Sequence, residues 1–222
     1  MKERVGLFGG TFDPIHCGHI RAAEEVLKRF SLDRVLFVPS FIPPHKERTG
    51  IAPAGDRLRM VELACREEPR FAASSIEVDA GEKSYSVITL EKVKRIYPGA
   101  WTFFVLGVDA FLEIETWRDY KRVLKECLFI VISRPGYRIE QTEGLLGRSW
   151  VEKVHHVSES ENISDDLLRT RRVFLLSIPA LDISSTEVRR RIERGETIKG
   201  LVPEAVEDYI HSHNLYREHR GS

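Results

Sequence analysis

Two histidines three residues apart, His16 and His19, stand in the stretch "GLFGGTFDPIHCGH" (6–19), where an apolar run gives way to a helix-period segment. One turn of helix apart, both imidazoles can face the same ligand. A helix N-terminus favours an anion through its unpaired N–H groups and the positive end of its dipole. Gly9 and Gly10 have no Cβ, so the backbone there can come close to a phosphate or nucleoside and take up unusual φ/ψ. Gly18 lets the helix start pack close to its neighbours or to a ligand. An Asp13-Pro14 turn with packing histidines explains part of this stretch, but not the strand before it, the helix after it and the paired glycines together. HxxH could also give two zinc ligands, yet no further Cys or His is spaced to complete a site.

A second stretch, "ISSTEVRRRIERGE" (183–196), sets Ser184 as an N-cap with Glu187 three residues on, a capping-box spacing, and Gly195 as the stop. It is another helix N-terminus after an apolar strand. Hydroxyls at Ser184, Ser185 and Thr186, with Arg189 one turn in, suit a polyphosphate. Alone this reads as a well-capped surface helix with a basic face. Beside the first motif it reads as the second half of an anion site.

The elements that must position these groups follow from hydrophobic patterning. "RVGLF" (4–8), "RVLFVP" (34–39), "WTFFVLG" (101–107), "LFIVIS" (128–133) and "VFLLSI" (173–178) are nearly unbroken apolar runs, as in parallel strands covered on both faces. Between them lie stripes of helical spacing: Ile20, Ala23, Leu27 and Phe30; Leu58, Val61 and Cys65; Val87, Leu90 and Lys94 with Ile96; and Tyr120 with Val123 and Leu124. Strand–helix alternation predicts a doubly wound, mostly parallel α/β sheet, whose ligands bind beyond the carboxyl ends of the strands. Residues 39–56, rich in Pro and Gly, read as a surface loop. Residues 138–172 are polar and read as a poorly defined insertion, and Pro203 opens a closing helix at about 203–213 carrying Val206, Tyr209 and Ile210.

The chain has 222 residues, which suits one domain over 1–222. Lys plus Arg and Asp plus Glu are both 34, so no basic excess points to a general nucleic-acid partner. Cys17, Cys65 and Cys127 are odd in number and far apart, which fits a reducing compartment. The N-terminus lacks a signal-like apolar stretch and no run reaches the ~20 residues of a membrane span. A cytoplasmic protein without a membrane partner is expected. The composition does not set the oligomeric state, and a homodimer is compatible with it.

"GGTFDPIHCGH" resembles the T/HxGH signature of the nucleotidyltransferase superfamily, and "ISSTEVR" resembles its second ATP motif. Together with "IPPHK" (42–46), "KSYSVITL" (83–90), "LGVDAF" (106–111), Trp117 and "SRPGY" (133–137), the chain resembles the bacterial nicotinate-nucleotide adenylyltransferases. That resemblance implies a Rossmann-like nucleotidyltransferase fold and direct attack of the nicotinate mononucleotide phosphate on the α-phosphorus of ATP. The products would be deamido-NAD and pyrophosphate. It implies ATP contacts from Gly9, Gly10, Thr11, Phe12, Gly107, Asp109, Ile183, Ser184 and Ser185, with His16, His19 and Arg189 on the phosphates. It implies acceptor contacts from His45, Lys46, Ser84, Tyr85, Ser86 and Trp117, with Lys46 also counted among the catalytic groups. Mg²⁺ would be held mainly by phosphate oxygens. Members usually carry Thr at Ser86, Asp at Ile88 and Ala at Val108, and the loss of the Asp bears on acceptor choice. Alternatives of other kinds are transfer to phosphopantetheine or nicotinamide mononucleotide, cytidylyl transfer, and a non-catalytic nucleotide sensor. A class I aminoacyl-tRNA synthetase would need an anticodon-binding region for which the chain has little room.

Overall fold

The structure, a computed structural model, describes residues 2–42, 51–133, 142, 152–158, 161–179 and 182–217. Among the described residues, seven parallel strands form one sheet: β1 (Arg4–Gly10), β2 (Arg34–Pro39), β3 (Phe71–Ala73), β4 (Trp101–Gly107), β5 (Leu128–Ile132), β6 (Val154–Val157) and β7 (Val173–Leu176). Their order across the sheet is β3-β2-β1-β4-β5-β7-β6. The chain runs outward from β1 through β2 to β3, then returns to β1's other side with β4. Strand order therefore reverses between β1 and β4, and a crevice opens at their carboxyl ends, where Gly10 and Gly107 lie.

Both faces of the sheet are covered, which is why the strands read as continuous apolar runs. On one face Phe8, Phe103, Val105, Ile130 and Phe174 pack under α1 (Cys17–Arg29), α2 (Ala54–Ala64), α7 (Ser185–Glu193) and α8 (Glu204–Ser212). On the other, Val5, Leu7, Leu36, Phe104 and Phe129 pack under α3 (Ser86–Ile96), α4 (Val108–Leu112) and α5 (Tyr120–Glu126). A further helix, α6 (Asp165–Thr170), adds Leu168 to the first face. No helix among the described residues is long and apolar enough to cross a membrane. Cys65 and Cys127 are core residues, and burial pushes the Cys65 thiol up to about 12, so it stays protonated and inert.

Two strands escape the sequence pattern. β3 is three residues long, and β6, with the sequence VHHV, is half-buried at the sheet edge and lies inside the 138–172 stretch. Helix faces shift too. In α2 the buried residues are Arg57, Met60, Val61 and Ala64, whereas the expected stripe ran through the half-buried Leu58. In α3 they are Val87, Thr89, Leu90 and Val93; Lys94 turns out to pair with Glu126 at 3.0 Å, and Ile96 is exposed.

Arg57 sets the rotation of α2. Only 1% exposed, it donates to the carbonyls of Thr11 at 2.7 Å, Ala52 at 3.0 Å and Phe41 at 3.1 Å. One guanidinium thus ties the loop after β1 to both ends of the loop after β2. Arg57→Met should leave three carbonyls without a donor and cost about 3 kcal/mol or more in urea unfolding. Arg57→Lys should recover little, because an ammonium cannot reach three carbonyls in the plane of a fork. Stability equal to the parent for either variant would remove this role.

Candidate functional site

Two adjoining cavities occupy the crevice, of about 590 Å³ and about 250 Å³. Gly9, Gly10, Thr11, Leu106 and Ala110 line both and form the wall between them. Those residues come from the carboxyl ends of β1 and β4 and the turns that follow. The larger cavity brings together His16, His19, Arg189, Gly9, Gly10, Thr11, Phe12, Gly107, Asp109, Ile183, Ser184 and Ser185, which are all the expected ATP-end residues. The smaller brings together Ser84, Tyr85, Ser86 and Trp117. His45 and Lys46 lie outside the described residues.

At the start of α1 the two imidazoles stack, with ring centroids 3.7 Å apart. His16 is the N-cap, and its backbone N–H donates to Nδ1 of His19 at 3.2 Å. An Nδ1 that accepts puts the ring proton on Nε2, so His19 carries a donor suited to an anion. Backbone N–H groups contribute less here than the spacing suggests. That of Cys17 is spent on the Leu201 carbonyl at 2.8 Å and that of His19 on the His16 carbonyl at 2.9 Å. The donor role passes to the side chains.

Gly9 and Gly10 do not take up the unusual φ/ψ expected of them, while Gly18 packs closely as expected. Gly9 and Gly10 belong to β1, and the left-handed residue of the loop is Phe12, at φ 49°. Its ring is buried against Phe8 and Phe37 and meets His19 edge-on at 5.1 Å, which holds this costly conformation in place. A Cβ on Gly10 would lie 2.9 Å from that ring, so Gly10 makes room for Phe12. A Cβ on Gly18 would come within 3.0 Å of the His16 ring, so Gly18 admits the imidazole.

Helix α7 closes the far side. Ser184 Oγ caps it, accepting from the Glu187 N–H at 3.1 Å, and Ser185 Oγ donates to the Pro14 carbonyl at 2.9 Å. Both hydroxyls are engaged within the chain, which leaves Arg189 as the main cationic group of this helix in the cavity. Its guanidinium donates to the Asp13 carbonyl at 2.6 Å, and its side chain is 26% exposed. Asp109 sits in the first turn of α4, where the helix dipole favours a carboxylate. Val108 is fully buried in the core beneath α3 and α5, so its bulk does not enter the site.

The smaller cavity is walled by aromatic groups. Trp117 meets Phe104 edge-on at 5.6 Å, and the Arg118 guanidinium lies 4.9 Å over the Tyr85 ring. Tyr85 is the N-cap of α3 and Ser86 its first residue, so the cavity faces a helix N-terminus. Ser84 Oγ accepts from the Phe41 N–H at 3.0 Å, linking this segment to the loop after β2. Ile88 is exposed on α3 and lines neither cavity.

Five polar or charged residues here carried no signal in the motif reading: Ser40, Glu77, Glu113, Thr116 and Arg118. The Ser40 hydroxyl is buried and has no hydrogen-bond partner among the described residues. Its place just past the end of β2 was the available clue. Glu77 accepts from the Thr89 hydroxyl at 2.5 Å, and burial holds its carboxyl above the usual range despite that bond, the Ser84 hydroxyl and Lys92.

Comparison with known proteins gives one consistent answer. Residues 7–191 match the family model described as cytidylyltransferase-like. The chain is 41% identical to a probable nicotinate-nucleotide adenylyltransferase of Desulfatibacillum aliphaticivorans, over 96% of this chain and 99% of that one. It is 42% identical to a protein of the same description from Moorella thermoacetica, over 96% and 92%. Among solved structures, the nicotinic acid mononucleotide adenylyltransferase of Plasmodium falciparum complexed with NaAD shares the fold, with a TM-score of 0.71 at 20% identity, covering 96% of this chain and 97% of that one.

The raised Glu77 carboxyl makes a stability prediction. An acid held above its unfolded value binds its proton more tightly in the fold, so its contribution falls as pH rises from the ordinary carboxylate range through the raised value. Glu77→Gln removes that one titration and keeps an acceptor for Thr89. Urea unfolding at pH 4 and pH 7 should show the variant gaining on the parent as pH rises. An unchanged or opposite difference would refute the assignment.

Proposed function

This chain belongs to the nicotinate-nucleotide adenylyltransferases of the cytidylyltransferase-like family, and from that premise we propose that it transfers the adenylyl group of ATP to nicotinate mononucleotide. The reading rests on one observation: two cavities, one lined by anion-binding groups and one by aromatic groups, share a wall at the switch point of the sheet. Triphosphate and pyridine substrates seated in them would meet over Gly9, Gly10 and Thr11.

An oxygen of the mononucleotide phosphate attacks the α-phosphorus of ATP, an O–P bond forms, and the bond to the β-phosphate oxygen breaks to release pyrophosphate. The attacking group is already ionised, so the reaction needs no general base. The protein's task is alignment and stabilisation of spreading negative charge. His19, through Nε2–H, and His16 hold the α- and β-phosphates, and Arg189 with the start of α7 takes the β,γ end. Gly107 and Asp109 take the ribose.

Trp117 stacks on the pyridine ring. The N–H groups of Tyr85 and Ser86 at the start of α3 receive the nicotinate carboxylate, with the Arg118 charge beside them. Ser40 Oγ supplies a further polar contact for the acceptor, and His45 and Lys46 are assigned to its phosphate by resemblance. The larger cavity's donors include two imidazoles, His16 and His19, and two guanidiniums, Arg21 and Arg189, and no group of three or more His, Cys, Asp or Glu among the described residues could hold a metal. That donor set suits Mg²⁺ carried on the triphosphate oxygens, where it would neutralise the departing pyrophosphate. A cytoplasmic location is part of the same reading.

Pyrophosphate release measured with nicotinate mononucleotide and nicotinamide mononucleotide in parallel tests the acceptor. The acid should be preferred by about a hundredfold or more in kcat/KM, because an amide leaves donors of this subsite unpaired. Equal rates would refute the carboxylate subsite, and release with phosphopantetheine alone would refute the reading. His19→Ala should lower kcat by about 10²- to 10³-fold with the far-UV spectrum unchanged.

A further inference from the structure

The segment after α8 reaches back into the site. Its backbone turns through left-handed conformations at Asn214 (φ 51°) and Tyr216 (φ 61°), neither of them glycine. Such conformations persist where the surroundings over-determine them. At Tyr216 they do. The Tyr216 hydroxyl donates to Asp13 Oδ1 at 2.7 Å, and burial beside that carboxylate pushes its phenol well above the ordinary value, so it remains a donor.

Asp13 is the residue through which this contact reaches the substrate cavity. It is 4% exposed, and Oδ1 also accepts the Ala52 N–H at 3.0 Å. With Oδ1 saturated by two donors, the carboxylate is fixed so that Oδ2 points at the Arg189 guanidinium, 3.5 Å away. The Asp13 carbonyl accepts from the same guanidinium at 2.6 Å. The other charge beside Asp13 is Arg57, which is committed to the carbonyls of Thr11, Phe41 and Ala52. Arg189 is therefore the cation whose place depends on the orientation of Asp13.

We propose that Tyr216 is a positioning residue for Arg189, acting through Asp13 to hold the guanidinium on the wall of the triphosphate cavity. Without the phenol, Oδ1 loses a donor in a buried place, and the carboxylate turns to take that donor from Arg189. The guanidinium is then drawn toward Asp13 and away from the phosphates. This rests on the reading of Arg189 as a phosphate ligand, but not on the identity of the acceptor.

Calorimetric titration with ATP and Mg²⁺, in the absence of acceptor, separates the two questions. Tyr216→Phe should weaken ATP binding about three- to tenfold in the parent and have almost no effect in an Arg189→Ala background, since residues that act as one unit are not additive. In turnover, KM for ATP should rise with KM for nicotinate mononucleotide unchanged. Asp13→Asn keeps an acceptor for Tyr216 and Ala52 but turns an amide toward Arg189, so it should weaken ATP to a similar degree. An equal loss from Tyr216→Phe in both backgrounds, or a loss that tracks a lower Tm, would overturn the proposal. A parent that binds ATP but does not turn over nicotinate mononucleotide would instead refute the proposed acceptor.

Discussion

A carboxylate and a guanidinium, Asp13 and Arg57, are both buried in and around the loop that follows β1, and the rest of the site depends on their being satisfied. Removing two charges from water costs more than their mutual attraction returns unless further hydrogen bonds complete the set. Here the completion comes from distant parts of the chain: Ala52 before α2, Arg189 on α7 and Tyr216 after α8 meet Asp13, while Arg57 takes three carbonyls. A loop carrying Gly10, a left-handed Phe12 and a cis Asp13–Pro14 bond has little regular structure of its own. Its shape is imposed by this network.

The same network divides the electrostatics of the crevice. Around the larger cavity it presents Arg189 and, through the Nδ1 bond to the His16 backbone, a His19 whose proton is on Nε2. Around the smaller cavity the charged groups are of both signs: Arg118 lies over Tyr85, while Glu77 and Glu113 line the same space. Burial raises the Glu77 carboxyl above its usual range. Asp13, Asp109 and Asp182 also line the larger cavity, so the two ends differ in their other groups, imidazoles in one and an aromatic slot in the other.

How much of this is written in the sequence follows from what each feature needs. Strands covered on both faces announce themselves as apolar runs, and five of the seven do. β3 is too short for a pattern and β6 too polar, because an edge strand keeps one side in water. The phosphate motifs are legible since glycine, histidine and a capped helix carry their chemistry in residue type. The partners of those residues are not. That Gly10 serves the Phe12 ring, that the hydroxyls of Ser184 and Ser185 are used inside the chain, and that Tyr216 meets Asp13 across 203 positions are all products of tertiary packing. Glu77 is invisible for the same reason: a Glu in a polar loop has no mark of burial until Thr89 and Lys92 close over it.

On the proposed reading, nucleotidyl transfer and acceptor choice sit on different parts of the chain. The first motif and α7 line the larger cavity, and α7 packs on the face of the sheet that also carries α1, α2 and α8. The smaller cavity is built by the N-terminus of α3 and the turn from α4 to Trp117, which pack on the opposite face. Only the wall of Gly9, Gly10, Thr11, Leu106 and Ala110 belongs to both. On that reading, substitutions in α3 or at Arg118 change what is adenylylated without touching the imidazoles, which line only the larger cavity.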